Sequence, residues 1–159
     1  MNNQQSTTNN QQRGFTLFLS LVIAGTLLLV ATSITSLAVK QSSISVAGRD
    51  SQIAFYAADT GLECALYWGV RNPSGFTAFD ESTSTTIDCN RDANNPGNQW
   101  QVGGGSVSSF NITFLPEPYC AEVTVTKQGD GTTLIESSGY NTCDLANPRR
   151  VQRAVRGVY

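Results

Sequence analysis

The sequence has no histidine, one methionine and little charge. The missing histidine excludes Ser-His-Asp and Cys-His nucleophile systems and every His-ligated metal site. Charged residues make up 14% of the chain, against the ~25% usual in soluble proteins. A formal net charge of −2 gives no bulk electrostatic attraction for nucleic acid. Also absent are a Walker loop, a G-x-S-x-G elbow, a dinucleotide fingerprint and a paired-carboxylate arrangement. A soluble cytosolic enzyme is therefore not the expectation, and no catalytic residue, cofactor or metal is expected. The 159 residues leave room for one small domain once any anchor or leader is subtracted.

What charge there is avoids the N-terminal quarter. Residues 1–39 carry a single charge, Arg13. Residues 2–12 read NNQQSTTNNQQ, a polar tract that cannot build a core. From Phe15 to Val39 there are 25 residues without charge, 17 of them apolar and the rest Gly, Ser or Thr. As a helix this run reaches ~37 Å, more than the ~30 Å hydrocarbon core of a bilayer. A membrane-spanning helix over 15–39 is the reading. The competing one, a cleaved secretory signal, calls for a shorter apolar region and an A-x-A site that is missing.

The pattern continues beyond Lys40. In 40–68, Ile53, Ala57, Gly61, Cys64/Ala65 and Trp68 recur at helical spacing, as do Phe55, Ala58, Leu62 and Leu66. No proline interrupts, so one helix of ~80 Å is expected over 15–68, its second half amphipathic. Residues 69–107 are rich in Asn, Gly, Pro, Ser and Thr and read as a long loop region. Antiparallel strands are expected in 108–159. Phe110, Ile112 and Phe114 share one face. Ala121, Val123 and Val125 alternate with Glu122, Thr124 and Thr126. Gln128–Gly131 is a turn before a run to Tyr140, and a last run spans Arg149–Tyr159. Helix, loop, then meander is an α+β order, a long helix packed on a small antiparallel sheet.

Four cysteines, Cys64, Cys89, Cys120 and Cys143, lie beyond the apolar run, and none forms a C-x-x-C pair. An even count in a small exported domain points to two disulfides. Of the three connectivities, Cys64–Cys89 and Cys120–Cys143 is preferred, because it ties the loop to the helix and joins two sheet segments. Asp88, Asn90 and Asp92 have the spacing of a calcium loop, but Ala93 stands where such loops need Gly and Gln99 where they need Glu. A solvated Asn/Asp turn is the simpler reading. Arg149, Arg150, Arg153 and Arg156 crowd into eight positions. They suggest either a phosphate contact or, preferably, an edge strand blunted by charge. Asn111-Ile112-Thr113 is a glycosylation sequon by spacing only and lies mid-strand.

Arg13-Gly14 directly precedes Phe15-Thr16-Leu17 and the apolar helix. A short leader ending in Gly before such a helix resembles the type IV pilin superfamily: pilins, minor pilins and type II secretion pseudopilins. The stretch with Ala54, Ala57 (or Ala58), Asp59, Gly61 and Leu62 is similar to a segment of PilX-like minor pilins. The resemblance implies a leader over 1–14, cleavage after Gly14 by a prepilin peptidase and N-methylation of Phe15. It implies a non-catalytic subunit of a type IV pilus or type II secretion-like filament. Its partners would be other pilin or pseudopilin subunits, the peptidase, an inner-membrane assembly platform and membrane lipid, with no nucleic acid. The protein would be a single-pass membrane protein with an extracytoplasmic head, extracellular or periplasmic once assembled. Leu19 stands where the family usually carries a Glu that pairs with a neighbour's N-terminal amine, and this resembles a tip or initiating subunit. The alternative is a single-pass membrane-anchored extracytoplasmic binding domain that never polymerises.

Overall fold

The computed structural model describes residues 8–71, 75 and 77–159, with side chains described from Gly14 onward. Residues 1–7 of the expected leader lie outside the described residues. The chain divides into two compact units, Met1–Val46 and Ala47–Tyr159, here called the stem and the head.

A single helix, α1, runs Thr8–Leu66. It starts within the polar Asn/Gln tract rather than at Phe15, so the helix is indifferent to the change of composition at Gly14. In the stem α1 is apolar and its side chains from Gly14 to Val46 are exposed. This helix is long and apolar enough to cross a membrane. Five hydroxyls of the apolar run fold back onto the helix instead of projecting as free polar groups. Ser20, Thr26 and Thr32 donate to the carbonyls of Leu17, Ile23 and Leu29, and Ser33 and Thr35 to those of Leu29 and Ala31, at 2.8–2.9 Å. Such back-bonding hides a hydroxyl that would be costly in hydrocarbon.

In the head, the last part of α1 lies on a four-stranded antiparallel sheet, so the fold is α+β as expected. The strands are β3 (Val107–Thr113), β4 (Cys120–Lys127), β5 (Thr133–Tyr140) and β6 (Gln152–Val158), in the order β3-β4-β5-β6. The meander follows the alternation in the sequence: Phe110, Ile112, Ala121, Val123, Val125 and Ile135 are buried. The helix meets them with Ala54, Ala57, Ala58, Cys64 and Ala65, all buried. Small residues are needed because the backbones approach closely. A Cβ at Gly139 would overlap the Ala54 carbonyl and the Ala58 nitrogen, and one at Gly61 would overlap Ser137 and Val123. Phe55, grouped with Ala58 by spacing, is instead 46% exposed at the margin of the contact. There the sheet leaves no depth for an aromatic ring.

The expected loop region 69–107 contains more order than its composition suggests. A π-helical turn, Tyr67–Arg71, ends α1. A two-stranded antiparallel arm follows, β1 (Ser84–Asp88) paired with β2 (Gln99–Gly103). The arm buries Ile87 and Val102, and Phe79 stacks on Phe110 with ring centroids 6.5 Å apart. Each of these strands buries one side chain, so no hydrophobic period reaches across the segment. Trp68 Nε1 donates to the Asp88 carbonyl at 3.0 Å and fastens the end of the helix to the arm.

Candidate functional site: an apolar stem and a stapled head

Gly14 and Phe15 are neighbours in α1 and Leu19 stands one turn further on, with Phe15 and Leu19 exposed. A helix with no charge from Phe15 to Val39 has little to offer to solvent or to a polar ligand. Its chemistry is that of a hydrocarbon surface, suited to lipid tails or to other apolar helices. Lys40 is the first charge after the run.

The head is stapled twice. Cys64 pairs with Cys89 and Cys120 with Cys143, the preferred connectivity, with Cα–Cα distances of 6.1 and 5.6 Å. The first bond joins α1 to the end of β1. The second joins the start of β4 to the segment after β5, where the Cys143 amide also donates to the Pro118 carbonyl.

Asp88, Asn90 and Asp92 do not converge into a cation cage, and no group of three potential ligands is placed to hold a metal among the described residues. Asp92 Oδ1 accepts hydrogen bonds from the Asn94 and Asn95 amides and from Asn95 Nδ2, at 2.8–3.0 Å. The Asn95 side chain, followed by the backbone donors, holds the Asp92 carboxyl below its ordinary range. The loop is an Asx turn whose work is to aim two asparagines, Asn95 and Asn98.

Both asparagines are buried, and sequence reasoning passed over both. Asn98 accepts from the Thr113 amide (3.1 Å) and donates to the Thr113 carbonyl (2.7 Å). Asn95 does the same at Leu115, with bonds of 2.8 and 2.9 Å. A primary amide has one acceptor and a donor pair in the geometry of a peptide group. Asn98 thus acts as a rung of a missing strand at the last residue of β3, and Asn95 as a second rung two residues beyond it. The signal was faint: four asparagines crowd into residues 90–98, a composition that reads as loop.

The four arginines surround β6. Arg156 pairs with Glu136, and Arg153 Nε donates to Ser51 Oγ on α1 at 2.7 Å. Arg150 lies over the Tyr140 ring, 3.6 Å from its centroid, and donates to the Thr142 carbonyl. Tyr140 also donates to Glu122 at 3.1 Å. Burial first, then that hydrogen bond, pushes its phenol upward. Arg149 has no side-chain partner among the described residues. Asn111 is exposed on β3, on the face turned away from the helix.

Comparison with protein-family models, with curated proteins and with solved structures finds no match.

Proposed function

We propose that this protein is a non-catalytic minor pilin or pseudopilin, a structural subunit of a type IV pilus or a type II secretion-like filament. The observation that carries the reading is the pair Arg13-Gly14 placed directly before 25 uncharged residues, beginning at Phe15, of one uninterrupted helix. The helix is stored in the membrane after a prepilin peptidase removes residues 1–14 and Phe15 is N-methylated. It is then drawn out and bundled with the helices of other subunits on the assembly platform. The outward-turned apolar side chains and back-bonded hydroxyls of the stem support this use, since both environments are hydrocarbon-like. Two disulfides support a head that works in an oxidising compartment outside the cytoplasm.

Leu19 favours a position at the tip or at low copy number. A new amine at Phe15, buried without a carboxylate partner, costs several kcal/mol if it stays charged. One such defect is tolerable, whereas one at every subunit is not. The same residue also favours the second reading, an anchored binding domain that does not polymerise. The mass of the mature N-terminus separates them. N-methylated Phe15 is expected, and an intact Met1 or cleavage beyond Val39 removes the filament reading.

A further inference from the structure

We infer that the open edge of β6 is a docking site for an extended, acidic segment of a different protein, which adds to the sheet as a fifth strand. The inference does not depend on membership of a filament.

The two edges of the sheet differ. The β3 edge is flanked by β2 at one end and capped at the other, where Asn98 bonds both backbone groups of Thr113 and Asn95 those of Leu115 just beyond the strand. The β6 edge has no such cover among the described residues. Its hydrogen-bonding direction follows from its register. Tyr159 and Thr133 exchange both backbone bonds, at 3.1 and 2.8 Å. Counting back in twos along the uninterrupted ladder, Gly157, Val155 and Arg153 also bond toward β5. Gln152, Ala154, Arg156 and Val158 therefore turn their N–H and C=O groups outward. Four alternate residues offer a complete template for another strand.

The surroundings select the occupant. Ser51 and Leu62 of α1 contact Arg153 and Gly157 of β6. Phe55, one turn beyond Ser51, stands on that same face and is exposed. An added strand would find an aromatic floor on its inward side. Around it stand Arg149, Arg150, Arg153 and Arg156, with Glu136 the one carboxylate they pair with among the described residues. A second copy of β6 would bring arginines against arginines, so self-pairing is disfavoured. An acidic strand meets complementary charge at the same spacing.

The test is hydrogen exchange on the full chain in detergent micelles, with and without a short peptide alternating glutamate and valine. The amides of Gln152, Ala154, Arg156 and Val158 should slow by about tenfold or more, while those of Arg153, Val155 and Gly157 are already slow. The same peptide with lysine for glutamate should give no protection. Ala154→Pro removes an outward N–H without touching the β5–β6 ladder, and should abolish the effect. Arg149→Glu with Arg153→Glu leaves the backbone intact and should reverse the preference toward the lysine peptide. No protection by the acidic peptide at millimolar concentration overturns the inference. So does protection by a single-stranded oligonucleotide but not by the peptide, which would mark a polyanion site instead.

Discussion

The stem and the head use the same residue types for opposite ends. From Gly14 to Val46 the leucines, isoleucines and valines of α1 all face outward. In the head, the same helix buries mainly alanine and glycine, with Cys64 buried and Leu62 and Leu66 partly so, and the large fully buried apolar side chains come from the sheet and the arm segment. A helix that must meet other apolar surfaces can carry bulk on every side. One that lies on a sheet already full of Val, Ile and Phe must give up bulk to come close. Polar groups divide in the same way. Five hydroxyls of the stem's apolar run fold back onto their own helix, whereas the Asn95 and Asn98 amides of the head reach across to other segments. The stem thus depends on an environment, and the head carries its own.

That contrast can be broken most strongly at the staples. Replacing Cys64 and Cys89 by alanine opens a loop of 25 residues and should cost the head ~3.5 kcal/mol in the chain-entropy account. Trp68 and Trp100 both lie in the head, so their fluorescence in a urea titration reads it out. Leu29→Lys in the stem should leave that titration unchanged, yet weaken membrane insertion by ~3 kcal/mol in a reconstitution assay. If Leu29→Lys destabilised the head, the two regions would not be independent. Asn98→Ala leaves the Thr113 N–H without a partner and should cost about 2 kcal/mol in the same urea assay.

The smallest effect is acid sensitivity at Asp92. Its carboxyl lies below the ordinary aspartate range because the Asn95 side chain, and then the Asn95 and Asn94 backbone amides, donate to the charged form. A depressed folded value contributes stability above the unfolded value and loses it as pH falls through the folded one. The head should therefore weaken below about pH 4, and Asp92→Asn should flatten that part of the curve.

Much of the head was legible because alternation is a strong signal when one face is buried. Ala121, Val123 and Val125 marked β4, and Phe110 and Ile112 marked β3. The cysteine pairing followed from position along the chain. The arm was not legible, since β1 and β2 each bury one residue, and the arm is held to the sheet by Phe79 and β2's own Trp100 packed against Phe110. Spacing also grouped Phe55 with Ala58, Leu62 and Leu66 on one helix face. Helical period fixes angle but not depth, and the helix lies too close to the sheet at Ala54 and Ala58 to admit it. Asn95 and Asn98 gave no pattern at all, because a side chain that imitates backbone has no periodicity to betray it.

Those two amides also set the valence of the sheet. A sheet with two live edges can bind a copy on each side and so grow without limit, as open head-to-tail contacts do. Asn98 obstructs that possibility at Thr113, the last residue of β3, and Asn95 does so at Leu115 just beyond it, with groups that belong to the chain itself. A strand added along β3 would have to displace the Asn98 amide, whereas one added along β6 meets no such group among the described residues. Growth through this sheet is therefore biased to one side.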